Sequence, residues 1–379
     1  MYHALFFTAF LYFFQSCSPS KSDVNKITEL ESGATIEVIA DDFKIPSGIT
    51  EVSENVYLVA ERYGSLYRVQ NGVSTKISGI PKVQFVDDGF SIYGGLMDVS
   101  LHPNFEKNQL VYISYNANDW RMKIARFRLD GQKAQEFEII FDGNSFTIGS
   151  YFTWENDNHF FISFGVGGTP LPEPGAQDLN RDLGKIHRLK DNGSIPQDNP
   201  TFDGNEPGSI WSYGNRNPQG IFYDRETDIL YANEHGPVGG DELNIIEKGK
   251  NYGWPLFSFG INYDGTKVSD MTAEEAAEFS ELPFKHWGID FRVAPSGLIL
   301  LQDSNFEKWN GTFLMGSLAM QMLVRYDPKT DETEIVESNF GRVRDIIQLQ
   351  DGNLLIAINQ KSPGDKDKGR IIKYSLIGN

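Results

Sequence analysis

The chain has 379 residues, with 52 acidic against 34 basic side chains and a formal net charge of −18. A hydrophobic content of 40% and an aromatic content of 13% can build a large core, which excludes a disordered chain. The acidic balance argues against a nucleic-acid or anionic-membrane binder, and a single cysteine excludes an internal disulfide framework.

Residues 4–14 read ALFFTAFLYFF, an apolar run too short to span a bilayer but suited to the core of a signal peptide. Cys17 and the polar SPSKSD after it resemble a lipoprotein signal. Residues 1–17 are therefore expected to be a signal peptide with Cys17 as the lipidated residue. That implies an exported protein, periplasmic or anchored to a membrane only through its lipid. Residues 18–33 are read as a linker, and residues 34–379 as one domain.

Strand-like runs rich in branched and aromatic residues then recur. They are Val56–Ala60, Leu110–Tyr115, His159–Gly165, Ile229–Glu234, Gly297–Leu301 and Asn353–Ile358. Most follow polar turns such as Arg225-Glu-Thr-Asp228. Further strands are expected at Ser65–Gln70, Lys123–Leu129, Lys185–Leu189 and Met322–Asp327. One helix is expected over Thr272–Leu282. The main runs start roughly 60 residues apart, a period that suits four-stranded propeller blades. The fold class expected is all-β: a six-bladed β-propeller closed by its N- and C-terminal strands. Thr35–Ala40 would pair with Arg370–Ser375 in the closing blade. A pair of β-sandwiches remains an alternative on this pattern. The long loops between strands argue against a β-helix.

Residues 211–255 are too rich in Gly, Asn, Pro and charge for regular structure, which points to a functional loop region. Around them stand Ile45-Pro-Ser-Gly-Ile49, Glu61-Arg-Tyr-Gly64, Gly94-Gly-Leu-Met-Asp98, His102-Pro-Asn-Phe105 and Arg216-Asn-Pro-Gln-Gly220. Then come Glu234-His-Gly-Pro237, Gly239-Gly-Asp-Glu242, Asn251-Tyr-Gly-Trp-Pro255, Ala294-Pro-Ser-Gly297 and Arg342-Val-Arg-Asp345. In this order they resemble the soluble aldose, or glucose/sorbosone, dehydrogenases that use pyrroloquinoline quinone (PQQ). That family fold is a six-bladed propeller.

The resemblance implies a PQQ-dependent aldose dehydrogenase that oxidises a sugar hydroxyl and passes electrons to an acceptor. Arg216, Arg342 and Arg344 match the family's arginines for the three PQQ carboxylates, and Asn217 matches their amide partner. Guanidinium groups suit this task because they bind carboxylates bidentately. Arg342 and Arg344 alternate on one strand, so both can face one side. Tyr263 matches a cofactor-contacting tyrosine, with a buried core tyrosine as the alternative. For Ca²⁺ the resemblance implies the Glu242 carboxylate, the Tyr252 carbonyl and the Gly236 and Pro237 carbonyls, all hard oxygen donors. Six scattered histidines, His235 among them, give no transition-metal spacing.

Three positions depart from the family. Thr147, in Thr147-Ile-Gly-Ser-Tyr151, stands where the family has its base histidine. Tyr93 replaces a glutamine and Ala319 a lysine. The catalytic base is thus unassigned, with Asp87, Asp88 and Glu155 as acidic alternatives. Two other functions stay open. One is an inactive propeller that binds a sugar, an anion or a protein through the same pocket. The other is a glycan hydrolase using Asp241-Glu242 or Asp87-Asp88. Neighbouring strand residues face opposite ways, which counts against such pairs.

Overall fold

The structure, a computed structural model, describes residues 24–87, 92–166, 174–202, 204, 206–362 and 365–376. Cys17, the expected signal peptide and Asp88 lie outside the described residues. None of the described helices is long and apolar enough to cross a membrane.

Six antiparallel sheets follow one another along the chain. Blades 1 to 5 cover residues 46–76, 96–142, 152–213, 218–287 and 295–337, each with four strands hydrogen-bonded in sequence order. The first strands are Pro46–Ser53, Leu96–Leu101, Phe152–Trp154, Pro218–Asp224 and Pro295–Leu300. With Arg342–Gln348 of blade 6 they contact one another in a closed ring around an axis. The second strands, such as Val56–Glu61 and His159–Phe164, are buried on nearly every residue, so they read as continuous apolar runs.

Blade 6 closes the ring. Arg342–Gln348, Leu354–Ser362 and Asp365–Leu376 are joined by the N-terminal Ala34–Phe43. Thr35 pairs with Ser375 and Ala40 with Ile371, as the sequence predicts. Within the expected linker, Ile27–Glu29 adds a fifth, exposed strand to this blade. Ile36, Val38, Ile356, Ile372 and Tyr374 bury together, so the two chain ends share one core.

Pro-x-Gly openings recur at the first strands: Pro46-Ser-Gly48, Pro218-Gln-Gly220 and Pro295-Ser-Gly297. Proline suits a strand start, where no ladder donor is required. The serine hydroxyls reach the next blade: Ser47 Oγ donates to the Leu96 carbonyl at 2.8 Å and Ser296 Oγ to the Val343 carbonyl at 2.7 Å. Glycine allows close approach, since a Cβ at Gly48 would lie 2.2 Å from Asp98 Oδ1.

Gly297–Leu301 is a strand as expected: it falls in the first strand of blade 5, Pro295–Leu300, and the second strand of that blade is Phe313–Ser317. One expectation is corrected. The expected helix over Thr272–Leu282 is only Ala273–Ala276. Thr272 and Glu275 form a capping box, but Ala276 alone is buried, too little to sustain a longer helix.

Because the terminal strands complete one core, Ile372→Ala is expected to destabilise the protein by about 2–5 kcal/mol. The exposed Ile335→Ala should cost far less, and denaturant midpoints compare the two.

Candidate cofactor site at the upper end of the propeller

The first strands begin at one end of the axis, called here the upper end. The links between second and third strands, and between successive blades, also lie there. These links carry most of the residues singled out from the sequence. Residues 246–284, between the third and fourth strands of blade 4, return to this end beside blade 3. There Tyr252 and Trp254 donate their amides to the carbonyls of Tyr213 and Gly214, both at 2.8 Å.

Arg216, Glu234, Gly236, Glu242 and Tyr252 line one small cavity, together with His235 and Trp254. The Arg216 guanidinium lies over the Trp254 ring at 5.1 Å. Its Nη1 donates to the carbonyls of His235 at 3.0 Å and Gly236 at 2.9 Å, and its Nη2 approaches the Tyr263 hydroxyl at 3.4 Å. Tyr263 is 72% exposed, so it is no core residue. Pro237 follows Gly236 in the same turn and is half-buried.

Glu242 stands directly opposite Glu234 on the neighbouring strand. Asn244 Nδ2 bridges them, at 3.0 Å to Glu234 and 3.2 Å to Glu242. Glu234 also accepts from Asn215 Nδ2 and from the backbone amides of Arg216 and Asn217. Burial first, then the facing Glu234, push the Glu242 carboxyl well above the ordinary range. Burial also raises Glu234, against the pull of its hydrogen bonds. Among the described residues no cluster of three or more His, Cys, Asp or Glu forms a metal site.

Arg342 and Arg344 open the first strand of blade 6. A bulge between Val343 and Asp345 breaks the alternation expected from sequence. Both arginines nonetheless meet Asn359: Arg342 pairs with it in register, and Arg344 Nε donates to its Oδ1 at 2.8 Å. Burial holds His235 below its ordinary pKa, with Arg216 and Arg342 adding to the effect and Asp241 opposing it. The charges of Arg216 and Arg342 thus act on the same imidazole. Asn217 is buried, and its Oδ1 accepts from Gln219 at 2.8 Å.

Several buried donors at this end lack a protein acceptor: Asn359 Nδ2, Trp254 Nε1 and Arg62 Nε. Arg62 reaches the Ile148 carbonyl at 3.0 Å through Nη2. Such groups are costly to bury unpaired and point to an acceptor-rich ligand.

A model of the glucose / sorbosone dehydrogenase family matches residues 43–372. The chain belongs to that family. The aldose sugar dehydrogenase YliI of Escherichia coli is 33% identical over 361 residues, covering 90% of this chain and 92% of that protein. Quinoprotein glucose dehydrogenase B of Acinetobacter calcoaceticus is 27% identical over 430 residues, covering 88% and 87%. The solved apo-form of the soluble E. coli aldose sugar dehydrogenase matches with a TM-score of 0.78 at 30% identity, over 90% of this chain and 99% of that one. The PQQ-bound aldose sugar dehydrogenase of Streptomyces coelicolor shares the fold, with a TM-score of 0.71 at 22% identity over 91% and 98% of the two chains. Family membership makes this chain an oxidoreductase of the sugar-dehydrogenase kind.

In this family member the departures have physical forms. The Thr147 hydroxyl is buried and lies 2.8 Å from the carbonyls of both Gly149 and Gly165. It braces a turn and has no basic form to offer. Tyr93 faces Phe146 with ring centroids 6.5 Å apart, and Ala319 lies exposed in the upper loop of blade 5. Glu155 sits at the opposite end of blade 3, in two bonds to Arg188 at 2.9 and 3.0 Å, so it is no base for this site. Asp87 lies in the hairpin between blades 1 and 2. Asp241 accepts from the amides of Val293 and Ala294, both at 2.8 Å, while Glu242 faces Glu234. That separation removes the Asp241–Glu242 pair as an acid/base couple.

Sequence reading missed Glu234, His235 and Trp254 as site residues. Glu234-His-Gly-Pro237 was visible as a motif, but only strand register sets Glu234 against Glu242.

Two outcomes follow. Thr147→Val removes the hydroxyl set between the Gly149 and Gly165 carbonyls, of which Gly149 still accepts from the Gly165 amide, and should cost about 1–3 kcal/mol in denaturant unfolding. A carboxyl raised in the fold lends stability that is present below its ordinary value of 4.5 and lost as pH rises through the raised value. The chelated apoprotein should therefore lose Tm as pH climbs above 4.5, and Glu242→Gln should flatten that loss and raise Tm at pH 8.

Proposed function

We propose that the protein is a PQQ-dependent aldose dehydrogenase whose cofactor lies at the upper end between Arg216, Arg342 and Arg344. The carrying observation is the convergence of three guanidinium groups, in a protein of net charge −18, around buried donors that have no protein acceptor. This donor set fits a planar tricarboxylate, since each guanidinium can bind one carboxylate through two parallel bonds. Tyr263 would lie against the ligand, and Asn217 keeps its amide nitrogen for it. When bound, PQQ supplies the two-electron acceptor for the sugar.

The Glu234–Glu242 pair favours a divalent cation nearby. Two facing carboxylates with raised pKa values gain from a hard cation, and Ca²⁺ accepts carboxylate and carbonyl oxygens at flexible geometry. Glu242, with the carbonyls of Tyr252, Gly236 and Pro237, would supply donors. In the apoprotein Arg216 already engages the Gly236 carbonyl, whose second lone pair stays available.

The sugar hydroxyl must lose a proton. Thr147 is committed elsewhere, and among the described residues His235 is the histidine bordering the cavity. Its Nε2 faces the Pro295 carbonyl at 2.6 Å, which places the proton on Nε2 and leaves Nδ1 as the acceptor. Burial and the two arginines keep it neutral at physiological pH, the form a general base needs. The acidic limb of the rate–pH profile should therefore lie below 6.5, and His235→Asn should remove that limb.

Titration of the apoprotein with PQQ and Ca²⁺ tests the whole reading. Cofactor uptake followed by aldose-dependent reduction of a dye supports it. No uptake at high micromolar PQQ overturns it, and uptake without turnover favours the binding-only propeller. Arg342→Ala should weaken PQQ about 10–100-fold, the worth of one charge-assisted bond. The same reading places the protein outside the cytoplasm, anchored through Cys17, and Cys17→Ser should release it from the membrane fraction.

A further inference from the structure

Lys185, in the third strand of blade 3, has no accessible surface. Its Nζ donates to the carbonyls of Gly175 at 2.6 Å, Ala176 at 3.1 Å, Asp178 at 2.9 Å and Leu183 at 3.0 Å. Among the described residues no carboxylate lies within ion-pair distance of it. The Asp178 and Asp182 carboxylates favour the charge without touching it, and an ammonium with no carboxylate in contact is costly to bury, so four converging carbonyl dipoles make a specific seat for it. A methyl-terminated side chain of the same length could not hold them together.

The loop so held, residues 174–184, leads to the candidate cofactor site. Ala176 packs with Val166, Leu183 and Trp254. The Ala176 carbonyl accepts from the Gly214 amide at 2.9 Å, and the Gly214 carbonyl from the Trp254 amide at 2.8 Å. Gln177 Nε2 donates to the Trp254 carbonyl at 2.7 Å and to Asn251 Oδ1 at 2.9 Å. Trp254 then carries the Arg216 guanidinium on its ring.

We propose that Lys185 is a positioning residue for the cofactor: its ammonium fixes the 174–184 loop, which seats Trp254 beneath Arg216. The proposal rests on the reading that Arg216 holds PQQ. It extends that reading to a residue that touches no ligand.

The test combines equilibrium PQQ binding with amide exchange in full-length apoprotein. Lys185→Met should raise the PQQ Kd at least tenfold. It should also speed exchange at the amides of Gly214 and Trp254, leaving Leu355 and Ile356 in blade 6 protected. In a Trp254→Leu background, Lys185→Met should change the Kd less than twofold, because the effect passes through Trp254. General destabilisation would not give that non-additivity. A Kd within twofold of wild type, unchanged exchange at Trp254, or fully multiplicative effects would each overturn the proposal. Should Lys185→Met not fold, Gln177→Ala cuts the same path nearer the surface. It should weaken PQQ at least threefold, and an unchanged Kd overturns the proposal. If wild-type protein takes up no PQQ, the functional reading fails by itself, and exchange at Gly214 and Trp254 still decides the role of Lys185.

Discussion

Each blade's first strand is hydrogen-bonded on one side only, and its other edge faces the axis and the neighbouring blades. Backbone groups on that edge have no sheet partner, and burial forbids leaving them bare. Side chains from other blades meet the need. Asp345 accepts from the Ile49 amide, Asp98 from the Phe152 amide, and Asn233 donates to the Ser296 carbonyl. Ser47 and Ser296 do the same for carbonyls. These bonds tie blade 6 to blade 1, 2 to 3, 4 to 5, 1 to 2 and 5 to 6. The ring is therefore held near its axis by polar side chains, and farther out by the shared apolar cores between sheets.

This arrangement has an electrostatic consequence. Asp98 and Asp345 line a central cavity of about 380 Å3, and both are buried. Burial pushes Asp345 up to about 7, and burial together with Asp345 raises Asp98. Just above them stand Arg62 and Arg344, with Tyr151 donating to the Arg344 carbonyl. The cations of the upper end are thus built on the polar girdle that closes the propeller.

Much of the fold was legible. Strand runs near Val56, Leu110, His159 and Ile229 are second strands, and their apolar composition follows from burial on both faces. The pairing of the terminal strands was legible too. The run at Gly297–Leu301 is a strand as expected, but it belongs to a first strand, as apolar as the second one beside it. The helix was overextended because helix-forming residues continue after Ala276 where no core lies beside them. In the site, residue types were legible but their company was not. Glu242 was expected to supply a carboxylate to a metal, and only the register set Glu234 against it. Thr147 was marked as a lost base, and only packing shows its hydroxyl bound to two carbonyls.

The sequence by itself determined the class, the propeller period, the closure and the motifs that identify the family. These depend on local composition and order, which a linear pattern carries. Tertiary structure alone decided which groups face each other. It set two glutamates across one ladder, two arginine charges to act on one histidine, and a lysine among four carbonyls. The reason is physical: the pKa of Glu242 and the seat of Lys185 depend on distances between residues on different strands, loops and blades. Such distances exist only once the ring has closed.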